Sequence, residues 1–372
     1  MLVIFYLLSS FPALAFNFGF GNVPVRYLAI PLGVASPRFY RNDILFVLAA
    51  IIHIIYSCSF FFVRPFSGLD LSHFLAYLYV FVGIAFVRSN LVYFKRFVYL
   101  FWVLNVSYAA LQQILLMLGV GHDLSLIHQN THHSSYVIPV QDLFPFFFRV
   151  TGLFVESAPF VIYLVFTHFA FLIFGSGSFV RFLNLAFIFF AGAKVGYVFL
   201  ILYVLSIFCS RLRYNIGVFL LVACLLSVFL TPFVLDYISG IDFFWSVSLR
   251  LLWLHNLFYD FYVSYFGLFF GNGFVSSTEL MAGDYEGAVR GIDFFSTYIY
   301  SNGIAGSFFL LSPIILWFSR AGSLMALRDK NIFYICLALA FITMGSLLNF
   351  QYAYLVFLLA YSSQVRTLAV DA

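Results

Sequence analysis

Charge is the scarcest commodity in this chain. Of its 372 residues, 18 are Lys or Arg and 14 are Asp or Glu, so only 9% are charged, against 64% hydrophobic. Soluble globular domains run at about 25% charged and 45–50% apolar, and an ordinary soluble fold is therefore excluded. Cysteine is sparse too. Cys58, Cys209, Cys224 and Cys336 each sit inside an apolar run and no two are closely spaced. Disulfide and zinc frameworks need paired positions outside hydrocarbon, so these four read as small buried hydrophobes. Basic grooves are missing as well. The 54 Phe and 25 Tyr are consequently packing and lipid-facing surface, not a base-stacking platform, and nucleic acid is not an expected partner.

What is present is hydrophobic length. A bilayer-crossing helix takes roughly 20 apolar residues, which limits a chain of this composition to about twelve spans. The expected class is all-α: a polytopic integral membrane protein of about 12 transmembrane helices (10–13), forming one transmembrane domain over 1–372. Apolar runs place spans at 1–18, 23–37, 43–62, 71–87, 97–119, 153–174, 179–192, 195–210, 214–235, 292–318, 331–349 and 350–365. Residues 1–16 lack a preceding basic cluster, so they read as an uncleaved first span and not as a secretory signal. With both termini cytoplasmic, the inner segments collect Arg38, Arg41, Arg88, Lys95, Arg96, Arg181, Arg211, Arg213, Arg320, Arg328, Lys330 and Arg366, most of the basic residues, as the positive-inside rule requires.

Two segments do not read as spans, and both fall on the outer side. The first, 120–148, holds His122, Asp123, His128, His132, His133 and Asp142. Its histidines lack the Cys or Glu partners of a metal helix, and no metal is expected. The second, 236–291, begins with an amphipathic aromatic stretch carrying Arg250, His255 and Asp260, which predicts short helices against the membrane surface. It ends in a loop rich in Gly, Ser and acidic residues, of the long kind that usually carries function.

Charges at membrane depth or at its edge mark candidate sites. Arg149, Lys194, Arg250 and Arg290 all fall at the outer face in this layout. Guanidinium forks bind phosphate oxygens bidentately and Lys supplies a point charge, so a convergent set suits an anionic lipid headgroup, a pyrophosphate above all. Taken singly, each cation is equally explained by snorkelling or by pairing with Glu156 or Asp260. Asp293, Glu156 and His255 are the candidate bases. Asp293 also suits the cap of a helix starting near Phe294. Gly271 and Gly273 are suited to a tight turn, with backbone contact to sugar or phosphate as a second role. His53, His73 and His168 lie at or within spans and read as packing or interhelix residues.

Four pieces together resemble the bacterial O-antigen polymerase (Wzy) and O-antigen ligase superfamily. Arg149-x-x-Gly152-x-x-x-Glu156-x-x-Pro159 resembles the Arg-x-x-Gly start of its mid-chain helix. Ala193-Lys194-Val195-Gly196 is similar to its Ser-Arg/Lys-x-Gly break, with Ala193 in place of Ser. Ser248-Leu249-Arg250, followed by Phe270-Gly271-Asn272-Gly273-Phe274, resembles its periplasmic arginine and Gly-x-Gly element. Asp293, Tyr298 and Asn302-Gly303-Ile304-Ala305-Gly306 resemble the helix after its large loop. The resemblance covers about 149–318; the first five spans match in hydropathy alone.

The resemblance implies a metal-independent, cofactor-free glycosyltransferase embedded in the bacterial inner membrane. Its donor would be a glycan on undecaprenyl pyrophosphate, its acceptor a lipid-linked repeat unit, and its site periplasmic, in contact with membrane lipid. Arg149 and Arg250 would hold the donor pyrophosphate, and a separate regulator protein would be a partner in setting chain length. Ligases of the superfamily carry a His where this chain has Asp293, which favours the polymerase. An O-antigen ligase is the nearest alternative. A polysaccharide or lipid transporter is an alternative of another class, disfavoured by unrelated halves and by charges gathered on one face.

Overall fold

The computed structural model describes residues 2–10, 15–17, 22–34, 48, 51–52, 55–56, 68–118, 148, 150–154, 157–209, 269–271, 303–306, 330–331, 334 and 350–370. These are mostly helical. They comprise helices α1 (Leu2–Ser9), α2 (Ile30–Val34), α3 (Gly68–Ser89), α4 (Leu91–Met117), α5 (Ser157–Ile173), α6 (Ser178–Phe190), α7 (Lys194–Cys209) and α8 (Phe350–Val370), with two antiparallel strands, β1 (Ala15–Asn17) and β2 (Asn22–Pro24), and a 3-10 helix at Val25–Ala29 between α1 and α2. The expected spans at 71–87, 97–119, 179–192, 195–210 and 350–365 each coincide with one of these helices. The spans expected at 214–235 and most of those at 43–62, 292–318 and 331–349 lie outside the described residues.

The helical class holds for most of the described residues, but the amino-terminal region departs from expectation by adding one short pair of strands. Residues 1–18 do not form one helix: α1 stops at Ser9, and Ala15, Phe16 and Asn17 pair antiparallel with Pro24, Val23 and Asn22. At the end of α1 the hydroxyls of Ser9 and Ser10 donate to the carbonyls of Phe5 and Tyr6, at 2.8 Å each. Pro12 follows, a residue with no N–H to offer a helical ladder. The expected span 23–37 is likewise divided, into β2, the 3-10 helix and the five-residue α2.

Among the described residues, one helix is both long and apolar enough to cross a membrane: the 27-residue α4. It begins at an Asn90 cap, whose side-chain oxygen accepts from the Tyr93 N–H at 3.2 Å, satisfying one of the donors a helix start leaves open. Helices α5, α6 and α7 are apolar but shorter, at 17, 13 and 16 residues.

A single aromatic-rich core joins α3, α4, α5 and α8. Phe101 lies edge-on to Tyr163 at 4.9 Å and to Phe350 at 5.4 Å, and Tyr163 meets Tyr354 at 5.2 Å. Gly83 of α3 leaves the slot occupied by the Phe357 ring of α8; a methyl group there would collide with it. The ends of the bundle are set by polar contacts. At one end Lys95 donates to the Phe174 carbonyl at 3.2 Å, and Tyr99 bonds Ser176. At the other, Gln351 donates to the Pro159 carbonyl at 3.0 Å. Helix α4 therefore runs antiparallel to α5, and α8 parallel to α5. Between the ends, Asn184 ties three helices: it accepts from the Trp102 indole at 2.8 Å and donates to the Leu164 carbonyl at 2.9 Å.

Candidate functional site

The segment before α5 is where sequence and structure meet most usefully. Within the expected span 153–174 the described helix covers Ser157–Ile173, and Thr151–Phe154 form a turn: the Phe154 N–H donates to the Thr151 carbonyl at 3.1 Å, and Gly152 has φ +56°. Only a residue without a side chain adopts that angle at no steric cost. Space requires glycine as well, since a Cβ here would lie 2.8 Å from the Phe160 ring and 3.1 Å from the Asn105 side-chain oxygen.

This turn is irregular yet buried, with Val150, Thr151, Leu153 and Phe154 all enclosed. Its backbone N–H groups therefore need partners from the protein. Helix α4 provides them. The Gln112 side-chain oxygen accepts from Thr151 N–H at 3.1 Å and Gly152 N–H at 3.0 Å, and its amide nitrogen donates to the Thr151 hydroxyl at 3.1 Å. Two turns earlier on the same face, the Asn105 oxygen accepts from Leu153 N–H at 3.1 Å while its nitrogen donates to the Phe101 carbonyl at 2.9 Å. Ala109, buried between them, is small enough to let the turn approach. Gln113 accepts from the Phe148 N–H at 3.2 Å.

The second interruption lies at Ala191–Ala193, between α6 and α7. Gly192 has φ +69°, and Ala191 and Ala193 are fully buried. Gly196 is pressed against its neighbours: a Cβ would lie 2.8 Å from the Ile188 carbonyl oxygen and 3.1 Å from Val161. Val161 belongs to the first turns of α5, as does Phe160 beside Gly152. Lys194, the first residue of α7 and about 3 Å further along the axis, is thus at the same end of the bundle as the Gln112-held turn, with its side chain exposed.

A third pair of motif elements also touches. Gly271 is buried with φ +81° and Gly303 is buried with φ +63°. A Cβ on Gly303 would lie 2.5 Å from the Gly271 nitrogen and 2.5 Å from the Phe269 carbonyl oxygen. The Phe270-Gly271 element and the start of the Gly303–Gly306 turn therefore cross backbone to backbone, which glycine alone permits.

Of the candidate catalytic and substrate-binding residues, Lys194 and Gly271 lie within the described residues. Arg149, Glu156, Arg250, His255, Gly273, Arg290 and Asp293 lie outside them, as do the histidines of 120–148. Among the described residues no three His, Cys, Asp or Glu side chains gather as a metal site. His168 is buried in α5, edge-on to Tyr203 at 5.3 Å, a packing position. Sequence reasoning passed over Asn105, Gln112 and Gln113, although three amides in an apolar run are the kind of intramembrane polar group that marks a structural or functional contact.

No protein-family model, curated protein or solved structure matches this chain. Its functional reading rests on its own residues.

Proposed function

We propose that this chain is a polytopic inner-membrane glycosyltransferase of the O-antigen polymerase kind. In this reading about twelve helices cross the bilayer, both termini face the cytoplasm, and the site opens at the periplasmic face. Arg149 and Arg250, helped by Lys194 and Arg290, hold the pyrophosphate of an undecaprenyl-linked glycan. A hydroxyl of the lipid-linked repeat unit attacks the donor's anomeric carbon, and the bond to the pyrophosphate oxygen breaks. Undecaprenyl pyrophosphate departs with the electron pair, its charge stabilised by the cations. The hydroxyl proton passes to a base: Asp293 in the first instance, with Glu156 and His255 as the other candidates.

The observation that carries this reading is the buried, irregular turn directly after Arg149. Non-helical backbone among apolar helices is tolerated where it is enclosed by protein or lines a cavity, and here two side-chain amides are committed to it, with a third on Phe148 just before Arg149. Lys194 at the same end adds support. A cation in the first turn of a helix opposes the helix dipole, so Lys194 gains nothing from the dipole of α7.

The test is genetic and biochemical. In cells whose surface glycan depends on this chain, Arg149→Ala and Arg250→Ala are expected to reduce the glycan ladder to single repeat units on the lipid core, with the protein still in the membrane. Normal ladders from both variants would contradict the donor-clamp role. Loss of even the single repeat would indicate a ligase instead.

A further inference from the structure

We infer that Gln112, with Asn105 and Gln113, is a positioning residue for the donor clamp: these α4 amides fix the backbone on both sides of Arg149. The inference rests on the proposed polymerase reading for its functional consequence, but its structural half stands on contacts alone. Gln113 accepts from Phe148 N–H at 3.2 Å, one residue before Arg149. Gln112 accepts from Thr151 and Gly152 N–H at 3.1 and 3.0 Å, beginning two residues after it. Adjacent side chains of one helix thus bracket the arginine, and Asn105 anchors the far side of the turn at Leu153.

The arrangement exceeds what burial alone demands. A buried N–H is satisfied by any acceptor, yet here Gln112 uses both ends of its amide, donating to the Thr151 hydroxyl while its oxygen takes two N–H groups. The amide cannot rotate without losing all three bonds, so the turn is locked to α4 in one register. A cation that must meet a pyrophosphate gains from such fixing, because misplacement by about 1 Å can cost on the order of 100-fold in turnover.

The experiment uses the full chain, with its four cysteines replaced by serine, reconstituted in nanodiscs. A spin label is attached through Arg149→Cys, and undecaprenyl pyrophosphate binding is measured on the Arg149 parent. With Gln112 present, the label is expected to give an immobilised spectrum; Gln112→Leu is expected to mobilise it, and Gln112→Glu, which keeps an acceptor oxygen, to restore it. Undecaprenyl pyrophosphate is expected to bind about 10–100-fold more weakly to Gln112→Leu and within about threefold of the parent to Gln112→Glu.

Identical label spectra for Gln112 and Gln112→Leu would overturn the positioning role, and so would unchanged lipid affinity in Gln112→Leu. Should Gln112→Leu fail to fold, Gln113→Leu takes its place, with the same label and the same outcomes deciding. If the parent binds no undecaprenyl pyrophosphate, the polymerase reading fails while the label spectra still decide whether the amides fix this backbone.

Discussion

The turn at Thr151–Phe154 and the break at Ala191–Ala193 both bend the chain beside the first turns of α5, and they are held by opposite means. The break is satisfied locally. Ala191 N–H donates to Phe187 and Gly192 N–H to Phe189, while Gly196 and Tyr197 N–H both donate to the Ala193 carbonyl. Glycine geometry and helix-end hydrogen bonds suffice, with Gly196 seating α7 against Ile188 and Val161. Inside the turn the Phe154 N–H donates to the Thr151 carbonyl and the Thr151 hydroxyl to the Gly152 carbonyl, while the N–H groups of Thr151, Gly152 and Leu153 take their acceptors from Gln112 and Asn105 on a helix some forty residues earlier in the chain. A bend held by near neighbours is a joint between two helices. One held at a distance is a bend placed at a chosen point of the bundle.

The largest effect should therefore come from the remote support. Gln112→Leu leaves two buried N–H groups without their acceptor, at about 1–3 kcal/mol each. Thermal unfolding in detergent is expected to show a loss of roughly 2–5 kcal/mol, whereas a loss under about 1 kcal/mol would mean that the turn is held by something else. Gly196→Ala should rank next. Its methyl would meet the Ile188 carbonyl at 2.8 Å, and the backbone of α6 must yield, at about 1–3 kcal/mol. Gly175→Ala calibrates the comparison at the opposite end of the bundle. Gly175 has φ +65° but nothing within 4 Å of its would-be Cβ, leaving only the left-handed conformation to oppose alanine, at about 1–2 kcal/mol. A Gly175→Ala cost equal to that of Gln112→Leu would erase the distinction between local and remote support.

The same contrast explains what could be read from the sequence. The helices at 71–87, 97–119, 179–192, 195–210 and 350–365 were legible because apolar runs and glycine breaks are local signals. The break between the runs at 179–192 and 195–210 was legible in the same way, and Lys194 was found in it. The turn after Arg149 was only half legible: Gly152 stood out as a motif residue, but hydropathy ran the helix back to residue 153, since Leu153 and Phe154 are as apolar as any span. The amides that make the turn possible are remote in sequence and carry no local pattern. The crossing of Gly271 and Gly303 was invisible for the same reason, although both glycines had been singled out as motif residues. At the amino terminus hydropathy misled, because Phe5, Tyr6 and Phe16 are apolar in a helix and in a strand alike; Pro12 and the paired serines were the better guide.

The central claim is that the cations beside these two bends, Arg149 and Lys194, gather with Arg250 at one face of the membrane to receive a pyrophosphate. Single cysteines at positions 149, 194 and 250 of the otherwise cysteine-free chain, treated in intact spheroplasts with a membrane-impermeant maleimide, test it most directly. The account predicts that all three are modified from outside. Modification of position 250 only after the membrane is opened, with position 149 reacting from outside, would contradict it.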